Sequence, residues 1–350
     1  MVTMGDVAAR AGVSQATVSI VLGGTSDRLK ISAQTRERVA EAAQELGYRR
    51  NQIARAMVTG KSRIIGVLTA QQAGENIINI LAGAMETANQ HDYLLKVLHL
   101  SYDSIDDATI TRCLEWRLAS ALIVGLGEEA HARLHEAFRA NKIPVAVIDN
   151  VPPSEWGVRI RSDDEEGIGQ VMSHLTALGH RKIAFVGGRA GLLSEWREQS
   201  FLSALAEAGL SAPAHWIRRS SWGDQKIIET EVRALFQESG NALPTAIVCS
   251  ADTIAMIVLR TARALGLRLP GDLSVTGYSN GSLSGFADPP LTTVDQSFYE
   301  MGRVAAAQVI GFAERGDAEN NTIEADDGRD IKIPTRLIER GSTAPPPVGK

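Results

Sequence analysis

Cysteine is scarce in this sequence: only Cys113 and Cys249 are present, far apart along the chain. Two cysteines cannot build the disulfide framework of a small secreted domain, and neither has the further ligands that a zinc site requires. Such usage is typical of a reducing, intracellular setting. The chain also has no uninterrupted apolar run of about 18 residues, and its start, MVTMGDVAARAGV, has no basic segment followed by an apolar one. We therefore expect neither secretion nor a membrane span.

Several enzyme motifs are missing as well, namely the P-loop, the G-x-S-x-G turn and the H-E-x-x-H helix. His131 and His135 in HARLH have the one-turn spacing of a metal-binding pair, but they lack an adjacent glutamate and a third ligand. We interpret this pair as part of a solvated helix face. The sequence accordingly predicts no metal and no cofactor.

One stretch keeps an enzymatic alternative open. The residues IVGLGEEA, 123–130, place G-x-G-x-x-A after a predicted strand, with Asp149 at the end of the next strand. This is the outline of a dinucleotide fingerprint, and it would make the protein an NAD-binding oxidoreductase that uses Gly125, Gly127 and Asp149. Against it, Glu128 and Glu129 would repel a pyrophosphate at the start of the following helix.

What the sequence does have is a sufficient share of apolar residues, 44% of 350, for two or three domains with their own cores. Its charge is unevenly spread. Residues 1–61 contain nine Lys and Arg against five Asp and Glu, or +4, whereas the rest contains 27 against 36, or −9. A small basic segment before an acidic body indicates that the first segment binds a polyanion.

The basic segment predicts three helices, over about 4–11, 15–22 and 33–46. Each is preceded by a hydroxyl residue that can cap it, and the first and third are followed by a glycine that can adopt the left-handed conformation. The cap and stop residues are Thr3 (in a capping box with Asp6), Ser14, Ser32, Gly12 and Gly47.

The spacing of small and apolar residues indicates a helix-turn-helix, with Ala8 at the helix crossing, Gly12 in the turn and Val18 facing inward. The side chains on the outer face of the second helix are short enough to let the helix enter a major groove about 12 Å wide. A helical hairpin within a larger core is the alternative. The predicted core consists of Val7, Ala11, Val13, Val18, Val21, Leu22, Val39 and Leu46. The predicted outer face of the second helix consists of Gln15, Ala16, Ser19 and Ile20.

The segments DVAARAGVSQATVSIVL, ISAQTRERVAEAAQELGY and NQIARAM resemble, in this order, the head of the LacI/GalR family of bacterial transcriptional regulators. The resemblance implies that the second helix reads bases through Gln15, Ala16 and Ile20. It also implies phosphate contacts by Thr3, Ser14, Thr17 and Ser19. The chain departs from the family at Gly23, where asparagine is usual, and at Arg50, where proline is usual.

The loop 23–30 is longer than usual in the family and brings Arg28 and Lys30, which either contact phosphates or lie in a solvated loop. The next segment, NQIARAMVTGKS, is too short for a stable isolated helix. In the family this segment folds on DNA, pairs with its copy from a second subunit and wedges an apolar side chain into the minor groove. By resemblance the wedge is Met57, Ala54 permits close helix approach, and Asn51 and Arg55 reach the DNA backbone.

From residue 62 onward, apolar strand-like runs alternate with amphipathic helices, which predicts parallel sheets with helices on both faces. The stretches HLTALGHRKIAFVGG, DPPLTTVDQ and IPTRLIERGST resemble the same family's effector-binding domain, which is itself like the periplasmic sugar-binding proteins. The fold class is therefore predicted as α/β, a small all-α helix-turn-helix head plus a two-lobed, periplasmic-binding-protein-like body with parallel sheets. The resemblance implies lobe crossings near residues 160, 290 and 325.

The predicted boundaries follow from these patterns. They are 1–49 for the head, 50–61 for the hinge helix or linker, 62–340 for the effector-binding domain and 341–350 for a disordered tail. Within the body, lobe 1 would comprise about 62–160 and 291–323, and lobe 2 about 161–290 and 324–340.

Ligands of such folds bind at the carboxyl ends of the strands, in the crevice between the lobes. By resemblance, the effector contacts are Gln71, Gln72 or Asn76, together with Asp149, Arg197, Trp222, Asp252, Ser279 and Gln296. Carboxylates and an arginine can bond vicinal hydroxyls, and a tryptophan can stack on a sugar ring, so we expect a carbohydrate-like effector. The ordinary alternatives are a solvated Arg197, a core Trp222, and helix caps at Asp149 and Asp252. Ser279, where the family often has aspartate, argues against a lactose-like sugar.

The sequence thus predicts a cytoplasmic, nucleoid-associated transcriptional repressor rather than an enzyme. Its partners would be a near-palindromic operator DNA, a small sugar or sugar derivative, and further copies of the chain in a homodimer or a tetramer.

Overall fold

The structure is a computed structural model and describes residues 2–22, 31–48, 62–70, 74–102, 104–148, 157–188, 192–240, 242–318 and 329–347. Contacts along the chain divide it into two compact units, Met1–Ser62 and Arg63–Lys350.

The described part of the first unit contains helices α1 (Met4–Ala11), α2 (Gln15–Leu22) and α3 (Ala33–Glu45). The predicted end signals are confirmed. The capping box of Thr3 and Asp6 is formed, and the hydroxyls of Ser14 and Ser32 each accept a hydrogen bond from the backbone N–H three residues on. The two stop glycines have φ of 65° and 63°. Local side-chain chemistry therefore defines where these helices begin and end.

These three helices close one small core. Val7, Val18 and Val39, one from each helix, are fully buried, and Ala8, Ala11, Ala42 and Ala43 fill the space between them. The other predicted core residues, Val13, Val21, Leu22 and Leu46, pack around the edge. The predicted core of the first unit is thus confirmed.

The second unit alternates strands and helices. In chain order its elements are β1 (Ile64–Ala70), α4 (Asn76–Gln90), β2 (Leu94–Leu100), α5 (Asp107–Glu115), β3 (Ser120–Val124), α6 (Glu128–Ala140), β4 (Val145–Ile148), β5 (Val158–Ser162), α7 (Asp164–Ala177), β6 (Ile183–Gly187), α8 (Leu192–Glu207), a 3₁₀ turn (Ala214–Trp216), β7 (Ile217–Arg219), α9 (Gln225–Ser239), β8 (Ala246–Cys249), α10 (Asp252–Ala264), β9 (Ser274–Thr276), a second 3₁₀ turn (Ser282–Phe286), β10 (Thr293–Asp295), α11 (Phe298–Ala318), β11 (Arg329–Ile333) and β12 (Arg336–Ile338).

The strands form a parallel six-stranded sheet in the order β11-β5-β4-β3-β1-β2 and a parallel four-stranded sheet in the order β7-β6-β8-β9. A short antiparallel pair, β10 and β12, completes the unit. Alternate residues of β1 face opposite ways, with Ile65 and Val67 in one core cluster and Leu68 and Ala70 in another. Helices on both sides of each sheet form the predicted two-lobed arrangement.

Two lobe assignments were wrong. We expected residues 291–323 in lobe 1, but Val294 on β10 is buried in the core of the four-stranded lobe, and its carbonyl accepts from the Ser279 N–H. We expected residues 324–340 in lobe 2, but β11 pairs in parallel with β5 at the edge of the six-stranded sheet. Ile333 is buried in that lobe's core, and the Asp330 carboxylate accepts hydrogen bonds from Arg159 and Arg161 on β5. The chain therefore crosses for the third time at Pro334, because only β12 continues to the other lobe. The first crossing likewise falls near residue 163, after β5.

The predicted disordered tail was also misplaced. Ser342 is fully buried, and its hydroxyl donates to the carbonyl of Val275 on β9. The carbonyl of Ala344 lies 2.9 Å from Nε2 of the buried His180. Residues 341–347 thus pack against the four-stranded lobe, because their backbone groups find partners there that composition alone does not reveal. Residues 348–350 lie outside the described residues.

The interpretation of the histidine pair was wrong for one member. His131 on α6 is buried, with its ring centroid 5.7 Å from that of His135. Burial, with His135 beside it, lowers the pKa of His131 to about 4. Among the helices that the structure describes, none is both long and apolar enough to span a membrane.

Candidate DNA-binding face and effector site

The turn between α1 and α2 determines which side of α2 is outside. The backbone N–H of Gly12 bonds to the carbonyl of Ala8, and Ser14 Oγ accepts from the N–H of Thr17 at 3.1 Å. With Val18 fixed in the core, Gln15, Ala16 and Ser19 are exposed, while Thr17 and Ile20 are half-buried. This is a small, neutral surface with one long polar side chain.

Chemically, this surface can make one specific base contact. A glutamine carboxamide can bond both N6 and N7 of an adenine, whereas Ala16 and Ile20 offer only apolar contact to a thymine methyl group. The side chain of Gln15 is therefore the one group of the predicted α2 base-reading set that can make a bidentate contact.

The hydroxyls predicted to hold phosphates already have partners in the helix caps. Thr3 Oγ1 donates to Asp6 Oδ2 and accepts from the Asp6 N–H. The hydrogen bonds from Thr3 lower the pKa of Asp6, so a negative charge stands at the start of α1. Ser14 and Thr17 share one hydroxyl hydrogen bond at 2.9 Å, which leaves one of their two protons for a phosphate.

Part of the predicted site lies outside the described residues. This applies to Arg28, Asn51, Ala54, Arg55 and Met57 of the DNA-binding set and to Gln71, Gln72 and Asp149 of the effector set. Their assignments stay predictions.

The described effector candidates of lobe 2 gather at the carboxyl end of the four-stranded sheet. Arg197 on α8 is not solvated: it is 3% exposed, its Nη1 donates to the carbonyl of Ser250 at 2.8 Å, and its Nε lies 3.3 Å from Asp164. Its guanidinium also stacks on the Tyr278 ring, 4.2 Å from the centroid. The charge of Arg197 is therefore neutralised inside the protein.

Asp252 does not cap α10 as expected. The N-cap is Ala251, and the Asp252 carboxylate instead accepts hydrogen bonds from the Gly281 N–H and from the Thr293 hydroxyl. Gly277 allows this approach, because a Cβ there would lie 2.2 Å from Asp252 Oδ1. Burial raises the pKa of Asp252. The side chain thus holds the loop that follows β9.

Ser279 in that loop has φ of 125°, a strained conformation for a residue with a side chain. Its hydroxyl donates to Gln296 Oε1 at 3.2 Å, and Gln296 Nε2 donates to Ser162 Oγ at 2.9 Å. Ser162 in turn donates to Asp164. One chain of hydrogen bonds therefore joins two predicted effector residues to the first crossing between the lobes.

Trp222 is half-buried, with its ring packed over Gly188 just after β6, so that a Cβ on Gly188 would lie 2.5 Å from two ring atoms. It is near Asp252, since the Thr253 hydroxyl donates to the Trp222 carbonyl. Asn76 begins α4, half-buried, in the six-stranded lobe. Next to it the Glu75 carboxylate accepts from the Ser282 N–H at 3.1 Å, which joins the two lobes.

Asp164 is the residue of this region that sequence reasoning missed. It is 2% exposed and accepts hydrogen bonds from Ser162 and Tyr278 besides facing Arg197. The available signal is the acidic run SDDEEG, which directly follows a strand and lies close to the lobe crossing predicted near residue 160.

Comparison with known proteins agrees with this geometry. The model of bacterial regulatory proteins of the lacI family matches residues 3–51, and that of the periplasmic binding protein-like domain matches residues 172–343. The transcriptional regulator DegA of Bacillus subtilis is 30% identical over 347 residues, 98% of each chain. The transcriptional repressor CytR of Escherichia coli is 30% identical over 306 residues, 87% of each chain. A lac repressor dimer bound to operator and the anti-inducer ONPF superposes with a TM-score of 0.78 at 26% identity, over 98% of this chain and 99% of that one.

A helix-turn-helix unit followed by a periplasmic-binding-like unit defines the class of DNA-binding transcriptional regulators that carry an effector-binding domain. The chain belongs to the lacI family of bacterial regulatory proteins. Its relatives are regulators and not enzymes. The stretch that has the outline of a dinucleotide fingerprint is a turn between β3 and α6, in which Gly125 has φ of 62° and Gly127 is the N-cap of α6.

Proposed function

We propose that the protein is a homodimeric repressor whose heads bind a near-palindromic operator, and whose operator affinity is set by a small effector in the second unit. The observation that carries this proposal is the outer face of α2. Gln15, Ala16 and Ser19 are exposed there on a helix whose opposite side is locked by Val18. An exposed, uncharged, narrow helix face on a rigid support suits entry into a major groove.

In this proposal Gln15 contacts adenine, and Ala16 and Ile20 contact thymine methyl groups. Backbone contacts would come from Thr3, Ser14, Thr17, Ser19, Arg28, Asn51 and Arg55. Met57 would supply the minor-groove wedge and Ala54 the close approach of the paired hinge helices. With so few base contacts, much of the specificity would come from operator shape and deformability.

The dimer would form through an apolar surface of the second unit that faces solvent in one copy. Ile78 and Met85 on α4 are 64% and 52% exposed, Leu94 on the edge strand β2 is 56% exposed, and Phe286 is 86% exposed. The hydrogen bond from Ser282 to Glu75 brings the Phe286 segment next to the start of α4. Ile78 and Met85 lie two turns apart on the same face of α4. Exposed apolar surface of this kind is typical of an interface, and a related repressor of known structure is described as a dimer.

The effector would bind at the carboxyl ends of the strands, among Asn76, Arg197, Trp222, Asp252, Ser279 and Gln296, with Gln71, Gln72 and Asp149. Because Arg197 is already paired with Asp164, and Ser279 is neutral, the site favours an uncharged, hydroxyl-rich ligand over an anion. This supports a sugar or sugar derivative. Such a ligand regulates only through a difference in affinity between the operator-bound and released states, typically about 1–3 kcal/mol.

A regulator of chromosomal genes acts where the DNA is, so the proposal also implies a cytoplasmic, nucleoid-associated protein.

DNA reading is tested by selecting binding sites from random duplexes with the full-length protein, then measuring affinity by fluorescence anisotropy. We expect Gln15→Ala to weaken binding to the selected duplex about 10-fold or more, because a bidentate contact is lost. Gln44→Ala is the matched control, since Gln44 is exposed on α3, outside this face. The proposal fails if the wild type enriches no sequence.

The effector class is tested by a thermal-shift screen with sugars, polyols, sugar acids and nucleobases. A ligand that binds only the folded state raises the melting temperature. All five tryptophans lie between residues 116 and 222, so their fluorescence reports the second unit alone. A shift with a nucleobase and none with any sugar would exclude the carbohydrate assignment.

A further inference from the structure

Gly5, the second residue of α1, lies directly beneath the side chain of Gln15. A Cβ added at Gly5 would lie 2.7 Å from Gln15 Nε2, 3.8 Å from Gln15 Cδ and 3.4 Å from Thr3 Oγ1. The Gln15 carboxamide therefore occupies the space that any other residue at position 5 would fill with its own side chain.

The backbone does not account for this glycine. Gly5 is helical and does not have the positive φ that favours glycine at Gly12 or Gly47. Glycine in a helix is less favourable than alanine by up to about 1 kcal/mol. The space left by the absent side chain is filled by the Gln15 carboxamide.

We propose that Gly5 is a positioning residue for sequence recognition: its lack of a side chain sets the direction in which the Gln15 carboxamide leaves α2. This rests on the proposed function of α2. A bidentate contact to adenine needs both amide atoms within about 2.7–3.2 Å of their partners and in one plane. A methyl group at position 5 displaces Nε2, and with it the plane of the amide, while the backbone of α1 and α2 stays as it is.

A side chain at position 5 affects sequence specificity and stability in different ways. Gly5→Ala removes a helix-disfavouring residue, so the folded state of the head is as stable as before or more stable. Binding to phosphates does not involve Gln15, so affinity for an unrelated duplex is unchanged. Only the sequence-dependent part of the affinity falls.

The experiment uses the full-length wild type, Gly5→Ala, Gln15→Ala and the double variant, each titrated with the selected duplex and with a scrambled duplex of the same composition. We expect Gly5→Ala to lower affinity for the selected duplex about 3- to 10-fold. Its affinity for the scrambled duplex should stay within about 2-fold of the wild-type affinity. The double variant binds like Gln15→Ala alone, because both changes act on one contact. Helix content by circular dichroism verifies that every variant is folded.

The outcomes are distinguishable. If the wild type enriches no sequence, the proposed function falls, and this inference with it. If the wild type enriches a sequence that Gly5→Ala binds equally well, or if the losses of the two single variants add in the double variant, the positioning role of Gly5 alone is overturned.

Discussion

His131 shows how burial changes the chemistry of a single residue. It lies on α6 with 8% of its surface exposed, and its Nε2 has no hydrogen-bond partner among the described residues. Burial, which disfavours the charged ring, and the neighbouring His135 lower its pKa from the ordinary 6.5 to about 4 in the folded protein. The folded state therefore binds this proton more weakly than the unfolded chain does.

This difference makes stability depend on pH. The contribution of His131 is fully present above pH 6.5 and is lost as the pH falls towards 4, because the unfolded chain then takes up the proton first. We expect the free energy of unfolding of the second unit to fall by about 3 kcal/mol over this range from His131 alone. Urea unfolding followed by tryptophan fluorescence at several pH values measures it.

His131→Leu should flatten the pH dependence without abolishing it, since burial also lowers the pKa of His180. His99→Gln is the control, because His99 is exposed on β2. Groups such as Asp252 titrate in all variants alike, so the difference between wild type and His131→Leu isolates His131. Identical slopes for the two proteins would contradict the assignment.

At the scale of elements, the crossing of α4 and α11 is built from two glycines. A Cβ at Gly83 would lie 1.9 Å from the carbonyl oxygen of Tyr299, and one at Gly302 would lie 1.9 Å from that of Ile80. Each helix backbone therefore rests on the glycine of the other. Ala84 and Ala305 next to these glycines are fully buried. The absent side chains let the helices approach closely and cover the six-stranded sheet.

Gly83→Ala should destabilise the second unit by about 3 kcal/mol, because the obstacle is backbone and cannot rotate away. Gly169→Ala is the matched control in helix α7, where nothing lies within 4 Å of the added Cβ. It should stabilise by up to about 1 kcal/mol, as alanine favours helix more than glycine does. Urea unfolding by tryptophan fluorescence compares the two, and equal effects would refute the crossing argument.

Elements whose boundaries depend on local chemistry could be predicted from the sequence. The caps at Thr3, Ser14 and Ser32 act within three residues of themselves, and all three are confirmed. The position of β11 and of residues 341–347 depends instead on partners far along the chain, such as Arg159 for Asp330 and Val275 for Ser342. Periodicity carries no information on such pairing.

The same limit applies to the candidate effector site. The family resemblance pointed to Arg197, Ser279 and Gln296, and the structure brings their neighbourhood together through Ser162 and Asp164. The sequence could not show that Arg197 forms an ion pair with Asp164, because the two residues meet only when α7 and α8 pack side by side. That pairing leaves Arg197 without a free charge for an anionic ligand and is consistent with the neutral, carbohydrate-like effector that we propose.

For the whole molecule, the proposed dimer surface, whose exposed apolar residues are Ile78, Met85, Leu94 and Phe286, would connect self-association to DNA binding. If two copies join through it, the second head binds its half-site at a high effective concentration, which can raise operator affinity 100-fold or more over one head, as an order of magnitude. The surface is then as important for repression as the reading face of α2, although it touches no DNA.

Phe286→Asp tests this connection, because a carboxylate at the most exposed apolar residue of the surface would have to be buried without a partner in the dimer. We expect a monomer by sedimentation velocity at micromolar concentration and a loss of operator affinity on the order of 100-fold.

Leu265→Asp is the matched control. Leu265 is 42% exposed, but it follows the carboxyl end of α10, about 20 Å along that helix from Asp252, which binds the Gly281 loop. A Phe286→Asp protein that stays dimeric, or a Leu265→Asp protein that dissociates as readily, would place the interface elsewhere. If Phe286→Asp becomes monomeric yet binds the operator as tightly as the wild type, one head suffices for recognition and the near-palindromic operator is no longer required.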